Sequence, residues 1–217
     1  LLTYDMRAHG TSGGDRFSAG LPSMNDLIAV VRAYRARHAE QRIILFGSGV
    51  SCAVVYLYAA YLGDQDALVL ESPFDAFNTY LGRQAREEWG IMAGMWYPVL
   101  RKEVEKETQI PVNQLDMKAM ARWITTPTLF LGGSEDRLVF LADTYNVYDT
   151  CGAEQKALIL IREARHGELA AKGGERYYDG ISSFIHEAVP QRQKPSARNR
   201  SEEHTSELQS QFRISYA

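Results

Sequence analysis

Arg42-Ile43-Ile44-Leu45-Phe46-Gly47-Ser48-Gly49-Val50-Ser51 is the stretch on which the fold turns. Arg42 to Phe46 is a short β-branched run that reads as a buried strand. A turn of small residues follows, and an apolar helix continues from Val50 to about Leu62. Where a strand passes through a sharp turn directly into a helix, the crowded backbone admits only small residues two positions either side of the centre. Gly47 and Ser51 flank Gly49 in this way, so the turn centres on Gly49. A frame centred on Ser51, flanked by Gly49 and Ala53, leaves seventeen residues to Leu68 for helix, loop and return to the sheet, whereas Gly49 leaves nineteen and fits better.

Upstream, Leu1-Leu2-Thr3-Tyr4 reads as the second half of a strand that runs into the glycine-rich loop Asp5 to Gly14. Ser23-Met24-Asn25-Asp26 has capping-box spacing and predicts a helix from Ser23 to about His38, with Leu27, Ile28, Val31 and Tyr34 on one face. Downstream, Ala67 to Leu70 is a further buried strand. Residues 74–122 lose the strand pattern and gain Trp89, Met92, Met95 and Trp96, which reads as a helical lid insertion. The alternation resumes with a strand at Thr126 to Leu131, a helix from about Val139 to Tyr148, a strand at Lys156 to Ile161 and a helix from about Gly174 to Ala188. Strands alternating with helices imply an α/β fold: a mostly parallel sheet with helices on both faces.

At 217 residues, with 45% hydrophobic and 24% charged residues, the chain has the make-up of one globular domain, read as 1–190, incomplete at its N-terminus. The chain opens without a methionine, so the true N-terminus and any leader or anchor are expected upstream, and location stays open with the cytoplasm as default. Residues 191–217 turn polar and aperiodic, and Arg200 to Ser210 resembles the translation of a sequencing adapter; a disordered, non-biological tail is expected. The net charge of -3, scattered in both signs, offers neither a nucleic-acid stripe nor a polybasic membrane patch. No run reaches the ~20 apolar residues of a membrane span. Cys52 and Cys151 have neither metal-ligand nor disulfide-framework spacing, so reduced thiols, no metal and no cofactor are expected.

Two polar positions follow strand ends. Asp136 closes Leu131-Gly132-Gly133-Ser134-Glu135-Asp136, and His166 lies in Ala164-Arg165-His166-Gly167-Glu168. Each alone is an ordinary turn carboxylate or loop histidine. Jointly, in the chain order turn, acid, histidine, they are candidates for acid–base work, Asp136 orienting the imidazole and His166 taking a proton from a hydroxyl.

With Tyr4 to Ser12, Gly47 to Ser51, Leu70-Glu71-Ser72-Pro73-Phe74, Gly133 to Asp136 and His166-Gly167-Glu168-Leu169 together, the chain resembles the α/β-hydrolase superfamily, especially its small-lid esterase, lipase and acyl-thioesterase-like branch. The resemblance covers Leu1 to about Val189. It implies a Ser-His-Asp mechanism on carboxylic esters or thioesters and a small-molecule, ester or lipid-like substrate. Ala8 stands where the family usually has glycine, and Gly49 stands where it has the nucleophilic serine. One oxyanion-hole donor is expected upstream of Leu1. The resemblance thus implies a hydrolase whose nucleophile is absent, with Asp136, His166 and the nucleophile position Gly49 as its site.

Ser48 and Ser51 read as turn and first-turn residues that satisfy local N–H groups, not as substitute nucleophiles. Two other readings stay open. Gly47-x-Gly49 between strand and helix, with the acidic Glu71 ending the next strand, allows a dinucleotide-binding unit, though Cys52 stands at the third glycine position. The Trp- and Met-rich 74–122 segment allows non-catalytic capture of an apolar ligand or a partner.

Overall fold

Four short strands pair side by side in the order β1-β2-β3-β4, every pairing parallel. They are β1 (Ile44–Ser48), β2 (Ala67–Glu71), β3 (Thr128–Gly133) and β4 (Lys156–Ile161). The computed structural model describes residues 1–15, 18–109 and 111–189. Every residue of β2 and β3 is buried, as expected of parallel strands covered on both faces.

The period of two along the strands splits the core. Leu45, Leu68, Leu70 and Phe130 pack under α1 (Leu21–Arg35), α2 (Ser51–Tyr61), α5 (Met117–Ala121) and α6 (Leu141–Thr150) through Leu27, Val54, Met117 and Val147. Val69, Leu129, Leu131 and Ile161 pack on the other face under α7 (Leu169–Gly173) and α8 (Glu175–Ala188) through Leu169, Tyr177 and Phe184.

Between β2 and β3 the chain forms α3 (Phe77–Trp89), α4 (Ala93–Thr108) and the short α5, with no strand among the described residues. A single antiparallel bridge, Ala76 to Asp116, and the bonds from Phe77 N to Leu115 O and from Lys118 N to Asp75 O draw the two ends of this segment together. The excursion therefore leaves and re-enters the sheet at one place.

Several expectations shift. Leu1 to Tyr4 is not a strand: no neighbouring strand among the described residues pairs with it, Leu1 and Leu2 are exposed, and an extended segment without a ladder partner has nothing to hold it. The first helix begins at Leu21, because Pro22 is pre-set for a first turn, and it ends at Arg35. The capping box at Ser23 does not form, since Ser23 Oγ donates to the Ser18 carbonyl and the Asp26 carboxylate is held by Arg7. Strand β3 runs on to Gly133, whose lack of a side chain lets the Ala164 carbonyl cross where a Cβ would stand. Helix α6 starts at Leu141, two residues late, because the N–H groups of Leu138 and Val139 are taken by Asp136. The short α7 has too few residues to show a period. The expected tail at 191–217 lies outside the described residues.

Candidate active site

Parallel strands end at one edge of their sheet, so the loops after β1, β2, β3 and β4 gather there. This edge brings Gly49, Asp136 and His166 together.

Gly49 follows β1 directly, at φ +55, and Val50 caps α2. The left-handed turn is what glycine adopts without cost. Its N–H donates to the Glu71 carbonyl at 2.9 Å, tying the turn to the end of β2. A Cβ on Gly47 would meet the Cys52 Cα at 3.0 Å and Val55 at 3.1 Å, which is the crowding that demands small flanks. Both nearby serines are occupied. Ser51 Oγ accepts from the Ser48 N–H at 2.7 Å and donates to the Ser48 carbonyl at 2.9 Å, while Ser48 Oγ donates to Glu71 Oε1 at 2.8 Å.

The loops after β3 and β4 are zipped by bonds from Ser134 N to Ile161 O and from Glu135 N to Ala164 O, each 3.0 Å. This presents Asp136 to His166. Asp136 Oδ1 accepts from the N–H groups of Leu138 (3.0 Å) and Val139 (2.8 Å), and Oδ2 accepts from His166 Nδ1 at 2.8 Å. The carboxylate on Nδ1 keeps the proton there and turns Nε2 toward the β1 turn. A Cβ on Gly49 would stand 3.0 Å from that Nε2 and 3.3 Å from Cε1, so the imidazole must yield a few tenths of an ångström to admit a side chain.

Burial works to raise the Asp136 carboxyl, but the hydrogen bonds from His166 and Val139 and the imidazolium charge outweigh it and hold the group below its usual range. The hydrogen bond to Asp136 raises His166 above its ordinary value, against burial and with help from the charges of Asp136, Glu71 and Glu87.

Four contributors lie outside the candidate residues Gly49, Asp136 and His166. Glu71, the acidic strand end of the dinucleotide-binding reading, has both carboxylate oxygens engaged, by Ser48 and by the Tyr177 hydroxyl at 2.6 Å. Tyr177 stands in α8, outside every motif of the sequence. Ser72 stands left-handed at φ +48, with its buried Oγ beside Asp136 but short of hydrogen-bond geometry. Arg83 binds the far side of the Asp136 loop from α3. Among the described residues no cluster of three or more His, Cys, Asp or Glu side chains is placed to hold a metal ion, and no helix is long and apolar enough to cross a membrane. An apolar groove of about 650 Å³ lies within the helical segment, lined by Trp89, Met92, Trp96, Val99, Leu100 and Glu103, and shares no residue with the Gly49 site.

The fold, a mostly parallel four-stranded sheet with helices, is an α/β fold shared with esterase and lipase structures. Pyrococcus furiosus esterase Pf2001 superposes with a TM-score of 0.68 at 19% identity, over 85% of this chain and 69% of that one. A Paleococcus ferrophilus monoacylglycerol lipase gives 0.58 at 16% identity, over 83% and 80%. In sequence the chain is similar to the uncharacterized protein YqkD of Bacillus subtilis, 24% identical over 188 residues, covering 85% of this chain and 61% of that protein. The chain spans about three fifths of the length of the curated relatives it matches. No family model matches it.

Proposed function

We propose that this chain carries the acid–base half of a carboxylic ester or thioester hydrolase site, with Asp136 as the orienting acid, His166 as the general base and Gly49 at the nucleophile position, and that as given it does not turn over such substrates. The observation that carries the reading is the line from Asp136 Oδ2 through His166 to Gly49, with 2.8 Å at one end and a Cβ position 3.0 Å from Nε2 at the other.

With a serine at 49, Nε2 would take the hydroxyl proton as the oxygen attacks the acyl carbon. It would then return that proton to the departing alcohol or thiol, and water activated by the same nitrogen would release the acid. The N–H of Val50, which caps α2 directly after the turn, would then serve as one oxyanion donor. A glycine supplies no attacking atom. Losing the nucleophile alone costs about a millionfold in kcat in a well-studied serine protease.

The test is Gly49→Ser, made in this chain and in a form extended upstream, treated with a fluorophosphonate probe. Covalent labelling that is absent from the parent and reduced by His166→Ala supports the reading. Saturable p-nitrophenyl butyrate hydrolysis by the parent, abolished by Ser48→Ala or Ser51→Ala, would overturn the assignment of Gly49.

A second reading, apolar ligand capture without chemistry, draws on Met92, Met95, Trp96 and Val99, which recur at helical spacing and are exposed. Titration with decanoate while following tryptophan fluorescence tests it; an unchanged spectrum counts against it.

A further inference from the structure

We infer that Arg83, on a helix outside the sheet, is a positioning residue for the Asp136 carboxylate, an assignment that rests on reading Asp136 and His166 as an acid–base pair. The connection runs through one peptide unit. Arg83 Nη1 donates to the Leu138 carbonyl at 3.1 Å, and the other end of that peptide, the Val139 N–H, donates to Asp136 Oδ1 at 2.8 Å. Asp136 Oδ2 in turn accepts from His166. Four groups therefore stand in one hydrogen-bonded series: guanidinium, peptide, carboxylate, imidazole. A cation on the carbonyl polarises the peptide and strengthens its N–H as a donor.

The guanidinium is itself fixed. It grips Asp143 through both Nη atoms, and its centre lies 3.9 Å over the Phe140 ring. Asp143 Oδ2 also accepts the Phe140 N–H at 3.0 Å, so the acid loop is held at its start by Asp136 and at its end by Asp143. A planar fork with several donors can hold a carbonyl and a carboxylate at once. With only 19% of the Arg83 side chain and 5% of the Asp143 side chain exposed, this pairing is shielded from water and salt. Burial raises the Asp143 carboxyl, and Arg83 opposes that by favouring the charged form. Burial raises the hydroxyl of Tyr80, one turn earlier on the same helix, and the charge of Asp136 adds to that. The helical segment between β2 and β3 thus reaches across the chain to set the aim of the acid.

The experiment is a proton–carbon NMR titration of the His166 imidazole in the whole chain from about pH 5 to 9, assigned with His166→Gln. The charges facing the ring, Glu71 and Glu87, are left untouched. In Asp136→Asn the imidazole pKa is expected to fall; if it does not, the acid–base pair itself is refuted and the inference falls with it. In Arg83→Gln the fall is expected to cover about half or more of the Asp136→Asn change, because the carboxylate loses the donor that aims it. A titration identical to the parent's, however large the loss of melting temperature, would show Arg83 to be structural only and overturn the inference. If Arg83→Gln does not fold, the double substitution Arg83→Met/Asp143→Leu, which leaves no buried charge unpaired, decides by the same comparison.

Discussion

The outer nitrogen of His166 lies 3.0 Å from where a Cβ on Gly49 would stand, and Gly49 holds a left-handed φ of +55. Both features make this position specific for glycine in the folded chain as it is.

Any L side chain at Gly49 should therefore cost stability. Gly49→Ala is expected to lower the unfolding free energy by about 1 to 3 kcal/mol, the usual range for a non-glycine residue forced to positive φ. Urea denaturation measures it, with fluorophosphonate labelling absent as a control. An alanine variant as stable as the parent would mean that the turn is not left-handed.

Ser51 is expected to matter for the turn and not for chemistry. Its hydroxyl closes a ring with the Ser48 backbone, so Ser51→Ala should cost about 1 kcal/mol, as loss of a capping hydroxyl usually does. Introduced beside Gly49→Ser, it should leave the rate of probe labelling unchanged. Loss of labelling with the fold retained would show that Ser51 takes part in the chemistry.

The Asp136–His166 pair should make stability depend on pH in a defined window. Asp136 is held below its ordinary 3.8, so its contribution is present above that value and is lost as pH falls through the folded pKa. His166 is held above its ordinary 6.5, so its contribution is complete below that value and is lost as pH rises through the folded pKa. The pair stabilises most between about pH 4 and 6.5. The difference in unfolding free energy between the parent and Asp136→Asn should be largest near pH 5.5 and shrink toward pH 9. A flat difference would argue against the pair.

Both thiols should be silent in the folded protein. Burial, and for Cys52 also the charge of Glu71, push them above the ordinary thiol range, and both cysteines are free and buried. Ellman's reagent should report no thiol in the native chain and two after denaturation. Rapid native reaction of Cys52 would contradict its place behind the turn, where its Sγ lies 3.3 Å from the Glu71 carbonyl.

Legibility in the sequence followed the reach of each interaction. Gly49 could be read because the constraint on it is local: a strand, a helix and small residues two positions away on each side. Asp136 and His166 could be read as a pair because each follows its own strand, and parallel strands deliver their ends to one edge. Leu1 to Tyr4 reads as a strand without being one, because a strand exists only through its neighbour, and a short apolar run says nothing about who that neighbour is. Ser23 had the spacing of a cap, but Pro22 set the first turn and Ser18 took the hydroxyl.

By itself, then, the sequence determined the alternation of strand and helix, the parallel sheet that follows from it and the three positions that meet at its edge, since each depends on residues near one another in the chain. Only the tertiary structure decided what surrounds them: that Glu71 is shared between Ser48 and Tyr177, that the imidazole stands 3.0 Å from where a Cβ on Gly49 would be and must yield a few tenths of an ångström to admit one, and that Arg83 reaches the acid loop from 55 residues away. Those contacts join groups distant in the chain. Their distances are set by how helices pack on the sheet, which no local pattern encodes.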